Sequence, residues 1–170
     1  TERLFEELKG NVEGVKQRYL FSALFSSGVM IPMGFEFGFR KMPHVVETTP
    51  RDWEETGIDL SPFIRKVNKI KEDHGVFQEE AATQMHAENN PQVLLMWKGS
   101  SRTGEEALVL LNKDISNSQS FKTPDIYEFF ESKTLVEDVS PEKPLTEIPA
   151  SFSYDLSPGE GRVFVTREED

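Results

Sequence analysis

The chain has 170 residues, 30 acidic and 19 basic side chains, a formal net charge of −11 and no cysteine. This charge argues against a nucleic-acid partner, since phosphate contacts need clustered lysine and arginine, and the absence of cysteine excludes disulfides, thiolate metal sites and a cysteine nucleophile. Charged residues make up 29% of the chain and hydrophobic residues 36%, and its 13 phenylalanines predict a sizeable apolar core.

Targeting signals are absent from this sequence. No run of apolar residues approaches the 18 or so needed for a transmembrane helix, and the first residues lack the basic and apolar regions of a signal peptide. We therefore predict a cytoplasmic protein without a membrane partner. Because the chain begins at Thr1 rather than at a methionine, we expect it to be a processed product or a piece of a longer polypeptide.

The first part of the chain, residues 1–90, is predicted to be mostly helical. Leu4, Phe5 and Leu8 form a short amphipathic turn before Gly10, and residues 15–27 form a helix that is apolar nearly all round, so it should be buried on several sides. Gly28 is expected to end that helix. The apolar run 29–33 predicts a short buried strand that ends near Pro32.

Residues 34–57 are rich in glycine, proline, threonine and charge, and we predict one long irregular loop, a feature that is usually functional. The clearest helix follows. Ser61 is expected to cap it, Pro62 suits its first position, and apolar residues recur at helical spacing until His74 and Gly75 end it. Residues 78–91 are polar and are predicted to form a junction.

The second part, residues 91–170, is predicted to be all-β. The runs 93–97 and 107–111 are apolar on both faces, as in sheets that are covered on each side, and the glycine-bounded segment 99–104 joins them as a hairpin. Further strands are predicted at 126–130, 134–138 and 162–165, and Phe152, Tyr154 and Leu156 alternate with polar residues as in another strand. Short strands at this spacing predict a small antiparallel β-sandwich.

Motifs for metal or cofactor chemistry are weak. His44, His74 and His86 show no ligand spacing, so we expect no metal site, and Gly34-Phe35-Glu36-Phe37-Gly38 lacks the lysine and spacing of a phosphate loop. We therefore predict no cofactor. No Gly-x-Ser-x-Gly motif is present, and acidic pairs such as Glu54-Glu55 are expected to be solvated.

Two residues in or beside the long loop are candidates for ligand contacts. Glu36 follows an apolar run between two phenylalanines, so its carboxylate either lies at the mouth of a pocket or is satisfied by neighbouring loop backbone. Trp53 either stacks on a ligand ring or seals the loop against the domain. The residues alone leave both alternatives open.

The order of these segments resembles the C-terminal end of an α-amylase-superfamily enzyme. Residues 27–36, Ser-Gly-Val-Met-Ile-Pro-Met-Gly-Phe-Glu, are similar to the family's eighth barrel strand, Gly-Ile-Pro-x-x-Tyr-x-Gly-x-Glu, and come closest to the form found in maltosyltransferases that act on maltose 1-phosphate. Residues 59–70 resemble the eighth helix. Residues 107–114 and 154–164 resemble two strands of the C-terminal β domain. The resemblance covers nearly the whole chain.

This resemblance implies an α+β fold: the C-terminal end of a (β/α)8 barrel over residues 1–90, followed by a small antiparallel β-sandwich over residues 91–170. The family cleaves or transfers α-glucosyl units with retention, using three carboxylates that precede the eighth strand. Thr1-Glu2-Arg3-Leu4 looks like the residues directly after the last of them. We therefore expect no catalytic residue in this chain and no activity of the chain alone, because barrel active sites are built by loops from several strands.

What the resemblance assigns to this chain is part of the sugar site. The loop 34–57 corresponds to the eighth strand-to-helix loop, so Glu36, Arg40 and Trp53 are the expected contacts for an α-glucan or maltooligosaccharide. Two alternatives remain: a carbohydrate-binding module that presents Trp97 or Tyr127, and a protein-interaction domain in which helices 14–27 and 61–73 cover a partner. The fragment hypothesis also predicts exposed apolar surface and self-association.

Overall fold

The computed structural model describes residues 3–44, 46–86, 89–132 and 135–167. Its helices are α1 (Leu4–Glu7), α2 (Val12–Phe25) and α3 (Ser61–Asp73), with 3₁₀ turns at Pro50–Asp52, Gly75–Phe77 and Ile126–Phe129. Within these ranges no helix combines the length and apolar character that a membrane crossing requires. The three predicted helices are thus confirmed, although α3 begins at Ser61 itself and Leu60 occupies the cap position.

Seven strands form two antiparallel sheets in the described ranges. They are β1 (Ala82–His86), β2 (Val93–Gly99), β3 (Glu106–Asn112), β4 (Gln119–Thr123), β5 (Leu135–Asp138), β6 (Phe152–Leu156) and β7 (Gly161–Arg167). The five-stranded sheet has the order β1-β2-β3-β7-β5, and β4 pairs with β6 in the second sheet. The 93–97 and 107–111 strands and their hairpin are confirmed, with Trp97 opposite Leu108 in the register.

The five-stranded sheet is covered on both faces. Every residue of β3 is buried, and alternate residues enter two different apolar clusters: Val109 contacts the helical layer, whereas Leu108 and Leu110 contact the small sheet and its flanking turns. This follows from the pleat, which directs successive side chains to opposite faces. The prediction of a doubly covered sheet is therefore confirmed.

Helix α2 packs against the five-stranded sheet through a buried apolar face. Tyr19, Leu20, Ala23 and Leu24 are all buried in the cluster that also holds Val109 of β3. The Asn11 side chain caps the start by accepting a hydrogen bond from the Gly14 amide at 2.8 Å. The burial of α2 on several sides confirms the prediction made from its nearly continuous apolar sequence.

Two lysines hold the C-terminal end of α2. The Lys98 ammonium donates to the Phe25 carbonyl at 2.7 Å and to the Leu24 carbonyl at 3.2 Å. Lys71 donates to the Ala23 carbonyl at 2.7 Å and to the Ser26 carbonyl at 2.5 Å. These carbonyls would otherwise have no partner at the helix end. The helix ends at Phe25, three residues before the Gly28 that the sequence predicted as its end. Desolvation lowers the pKa of both lysines.

Two predicted strands are absent from the described structure. Residues 29–33 form neither helix nor strand and expose Met30 almost fully, because a strand requires a paired neighbour and none of the described strands pairs with this segment. Residues 126–129 form a 3₁₀ turn, because the Asp125 carboxylate accepts a hydrogen bond from the Tyr127 amide at 2.9 Å. The 134–138 strand is confirmed from Leu135 onward, and Thr134 lies outside the described residues.

The boundary between the two predicted parts crosses continuous structure. Strand β1 belongs to residues 1–90 but pairs along its whole length with β2, from Ala82 opposite Gly99 to His86 opposite Leu95. The helices and one sheet face also share a single apolar cluster. That residues 1–90 are a barrel end and residues 91–170 a separate β domain stays a prediction. In this chain the two parts pack against each other.

Glu105 fastens the end of α3 to the β2–β3 hairpin. One carboxylate oxygen lies 2.6 Å from His74 Nδ1, and the other accepts a hydrogen bond from the Val76 amide at 3.0 Å. Burial raises the pKa of Glu105, but these hydrogen bonds outweigh burial and hold the pKa below its ordinary value. The ionised carboxylate is therefore the form that stabilises this contact.

Removing core methionine volume tests the two-faced packing. We expect Met96→Ala to lower the free energy of unfolding by about 2–5 kcal/mol, because Met96 is fully buried between α2 and the sheet. The matched control Met30→Ala, at a side chain 93% exposed, should change it by less than about 0.5 kcal/mol. Urea denaturation measures both. Equal effects of the two substitutions would contradict the assigned core.

The Glu105 contact predicts a pH dependence. A carboxyl group whose pKa is depressed in the folded state stabilises above its unfolded pKa, about 4.3, and loses that contribution as pH falls through its folded pKa. The stability difference between the native chain and Glu105→Gln should therefore be largest near neutral pH and shrink below about pH 4. Thermal melts across this range measure it, with Glu128→Gln, at an exposed position, as control. A difference that stays constant down to pH 3 would refute the assignment.

Candidate functional site

A compact turn at residues 33–39 presents Glu36. The Phe39 amide donates to the Gly34 carbonyl at 2.9 Å and the Gly38 amide to the Phe35 carbonyl at 3.1 Å. Gly34 has φ +76°, and a Cβ there would lie 2.1 Å from Cδ2 of Phe39. Only glycine fits this position without displacing the phenylalanine ring.

Glu36 lies half-buried in this turn and beside a cleft. Its backbone carbonyl accepts a hydrogen bond from the Leu60 amide at 2.7 Å, which ties the turn to the start of α3. Its carboxylate has no hydrogen-bond or ion-pair partner in the described ranges and lines a cleft of about 560 Å³. Of the two alternatives for Glu36, the geometry therefore favours a carboxylate at the mouth of a pocket.

The cleft is bounded by the segment before the turn and by one face of α3. Its other lining residues are Ile31, Pro32, Met33, Ser61, Ile64, Arg65, Asn68, Lys69 and Glu72. Lys69 is engaged by Asp73 at 2.6 Å, and Asn68 accepts a hydrogen bond from the Tyr19 hydroxyl at 2.5 Å. The lining therefore combines apolar surface with an amide and side chains of both charges.

Trp53 borders a second, separate cleft of about 290 Å³. Its ring is 51% exposed, and it contacts the Phe39 ring edge-on at 6.3 Å between centroids. The contact with Phe39 holds one side of the indole, while the exposed half remains open to a ligand. Both alternatives for Trp53 thus keep support, and Met33 lines both clefts.

Arg40 lies away from both clefts. Its guanidinium carbon is 5.4 Å from the centroid of the Phe5 ring and its Nε is 3.9 Å from a Glu6 oxygen, so the side chain is directed to α1. The structure therefore brings Glu36 and Trp53 to neighbouring clefts but not Arg40. Contact of these three residues with a sugar stays a prediction.

Two structural residues of this region escaped the sequence interpretation. Glu54 is not simply solvated: one carboxylate oxygen accepts hydrogen bonds from the Arg40 and Lys41 amides at 2.7 and 2.9 Å. Arg3 is buried and donates to the Met33 and Phe39 carbonyls. The sequence carries no local signal for the burial of Arg3, because its acceptors lie 30 and 36 residues away.

The residues named for the two alternative functions are engaged within the fold. Trp97 is only 8% exposed and its Nε1 donates to Glu106 at 2.7 Å, so its proposed presentation to a glycan is wrong. The Tyr127 hydroxyl donates to the Ile148 carbonyl at 3.0 Å. Helices α2 and α3 cover the chain's own sheet, which leaves their buried faces unavailable to a partner.

The three histidines have separate surroundings. His44 Nδ1 accepts a hydrogen bond from the Glu47 amide, His74 contacts Glu105, and His86 packs against the Phe129 ring. Among the described residues no three His, Cys, Asp or Glu side chains come together as a metal site.

Comparison with known proteins gives a fold likeness only. No family model and no curated protein sequence matches the chain. Among solved structures, AmyP in complex with maltose has a TM-score of 0.68 at 13% identity, over 94% of this chain and 35% of that one. A variant of trehalulose synthase MutB has a TM-score of 0.62 at 13% identity, over 91% and 38%. These neighbours are α-amylase-family enzymes.

A further likeness is to a proposed α-galactosidase/melibiase from Bacteroides fragilis, with a TM-score of 0.56 at 18% identity over 91% of this chain. The chain spans only 28–38% of the length of these three structures. At such identities the likeness establishes a shared fold only: a small α+β arrangement with antiparallel sheets that resembles the C-terminal domain of the α-amylase-family neighbours.

The exposure of Trp53 predicts which tryptophan a solute can reach. The chain has two tryptophans, so Trp97→Phe leaves only the exposed Trp53 and Trp53→Phe leaves only the buried Trp97. We expect acrylamide to quench the emission of Trp97→Phe several-fold more steeply than that of Trp53→Phe. Similar quenching of the two variants would show that Trp53 is covered and unavailable to a ligand.

Proposed function

We propose that this chain is the C-terminal part of an α-glucan-acting enzyme of the α-amylase family. Its segments resemble the family's eighth strand, eighth helix and C-terminal β domain in order. The fold likeness to AmyP and to trehalulose synthase supports the same assignment. One of these neighbours binds maltose and an AmyP variant binds maltotriose, which supports an α-glucan as substrate.

The observation that carries this proposal is the segment 28–33. Within the described ranges, the amides of Gly28, Val29, Met30 and Ile31 donate no backbone hydrogen bond. Unpaired backbone of this kind is expected of a strand whose neighbours are missing, since a barrel strand pairs on both edges. The segment resembles an eighth barrel strand in sequence, and its unpaired amides are free to bond to a neighbouring strand.

Exposed apolar side chains concentrate in the same region. Of ten exposed large hydrophobic residues in the described ranges, eight lie between residues 25 and 53: Phe25, Val29, Met30, Met33, Phe37, Met42, Val46 and Trp53. Exposed apolar side chains that concentrate in one segment of a chain indicate a surface that another part of the protein covers. We infer that upstream barrel strands cover most of this surface in the complete enzyme and leave Trp53 open to the ligand, and self-association of the isolated chain stays a prediction.

The mechanism divides between this chain and the rest of the enzyme. Retaining cleavage needs a carboxylate pair about 5 Å apart on either side of the glycosidic bond. In our proposal those carboxylates precede Thr1, and this chain contributes binding. The Glu36 carboxylate accepts hydrogen bonds from sugar hydroxyls, and the open half of the Trp53 ring stacks on a sugar face. Arg40 holds the loop against α1.

The form of the eighth strand favours a maltosyl transfer from maltose 1-phosphate over simple hydrolysis. Residues 34–36, Gly-Phe-Glu, end the segment as Gly-Tyr-Glu does in those transferases. Transfer and hydrolysis share the same carboxylate chemistry. They differ in whether a sugar hydroxyl or water attacks the glycosyl-enzyme intermediate in the second step. Product analysis therefore decides between them.

The direct test is to express the full product of the gene that encodes this chain and to assay it on maltotriose and on maltose 1-phosphate. We expect activity on at least one of them and none from the isolated 170 residues. Glu36→Gln should lower kcat/KM by about tenfold or more, since removing one charged hydrogen-bonding partner costs about 1.5–3 kcal/mol. The exposed Glu55→Gln is the matched control.

A full product without activity on any α-glucan would overturn the proposal. So would activity that Glu36→Gln and Trp53→Ala both leave unchanged, because the loop would then lie outside the sugar site.

A further inference from the structure

Arg3 is a buried cation held by backbone carbonyls. It is 8% exposed, and its guanidinium donates to the Met33 carbonyl at 2.6 Å and to the Phe39 carbonyl at 3.3 Å. No carboxylate forms an ion pair with it in the described part of the chain. Taking a guanidinium out of water costs free energy. We therefore expect the two hydrogen bonds to the carbonyls to offset this cost, and a neutral apolar side chain could not replace them.

The two carbonyls lie at opposite ends of the turn that carries Glu36. Met33 begins this turn and Phe39 ends it, and Arg3 is 30 and 36 residues away from them in sequence. One planar guanidinium therefore ties the two ends together. Lysine, with a single nitrogen on a flexible stem, reproduces this two-pronged contact poorly.

The turn is also supported from the same N-terminal segment. A Cβ at Gly38, which has φ +64°, would lie 3.3 Å from the Phe5 ring, so the turn rests closely on that ring. On the other side the Leu60 amide holds the Glu36 carbonyl at 2.7 Å. The backbone of Glu36 is thus fixed from α3, while Arg3 fixes the two ends of its turn.

We propose that Arg3 is a positioning residue that directs the Glu36 carboxylate into the 560 Å³ cleft between the 31–36 segment and α3. It acts through Glu36 and does not itself touch the ligand. The identity of the ligand as an α-glucan rests on the proposed function. The position of the Glu36 carboxylate rests on the geometry of the turn alone.

The first experiment measures amide hydrogen exchange of the 170-residue chain by NMR for the native protein, Arg3→Met, Arg3→Lys and the exposed control Arg18→Met. In Arg3→Met we expect the Phe39 and Leu60 amides to exchange about tenfold faster or more, because the loss of charged hydrogen bonds loosens the turn. The Val67 amide in α3 should be unchanged, and Arg3→Lys should lie between the two.

Two results of that experiment would overturn the proposal. One is exchange of Phe39 and Leu60 at the native rate in Arg3→Met. The other is an equal acceleration at Val67, which would mean that Arg3 only stabilises the fold as a whole.

The second experiment is a double-mutant cycle on KM for maltotriose in the full gene product. Arg3→Met should raise KM several-fold in the native background and leave it unchanged in the Glu36→Gln background, because its effect passes through Glu36. Equal increases in both backgrounds would contradict positioning. A full product inactive on α-glucans overturns the proposed function, whereas exchange changes confined to the turn still support the position of Glu36.

Discussion

The packing of α2 and α3 on one face of the five-stranded sheet is the interaction on which the rest of the structure depends. Strand β3 is buried along its whole length, so both of its faces require a cover. The small sheet β4–β6 with its turns covers one face, and the helices cover the other. Without the helical layer, Met96, Val109 and Val163 would face water, and burial of such side chains contributes roughly 1.5–3 kcal/mol each. The helical part and the β part therefore stabilise each other.

This packing also explains how the candidate site is held. The segment 26–60 connects the end of α2 to the start of α3, and both helices are anchored on the sheet. Lys71 and Lys98 fix the point where α2 ends, and the hydrogen bond between Glu36 and Leu60 fixes the point where α3 begins. The turn of Glu36 is thus a short piece of irregular backbone on a rigid base, which is how binding residues are commonly presented.

Local pattern predicted the helices and the doubly buried strands, since burial on both faces leaves continuous apolar runs such as 107–111. It missed β1 because an edge strand exposed on four of its five residues carries no apolar periodicity. It assigned a strand to 126–130 because aromatic side chains favour strands. In the structure the Asp125 side chain caps a 3₁₀ turn there instead. In the site, the loop and Glu36 followed from sequence, but Arg3 did not, since its acceptors are carbonyls 30 and 36 residues away. Contacts over such separations leave no local pattern.

The packing of the helical layer on the sheet predicts that the two form one cooperative unit. Native-state hydrogen exchange of α2 and β3 amides at increasing denaturant measures this most directly, because it reports the opening free energy of each element separately. The packing predicts that the slowest amides of α2, such as Leu20, and of β3, such as Val109, open with the same free energy and the same denaturant dependence. Opening of α2 at a clearly lower free energy, with β3 still protected, would show that the sheet does not depend on its helical cover and would contradict the account.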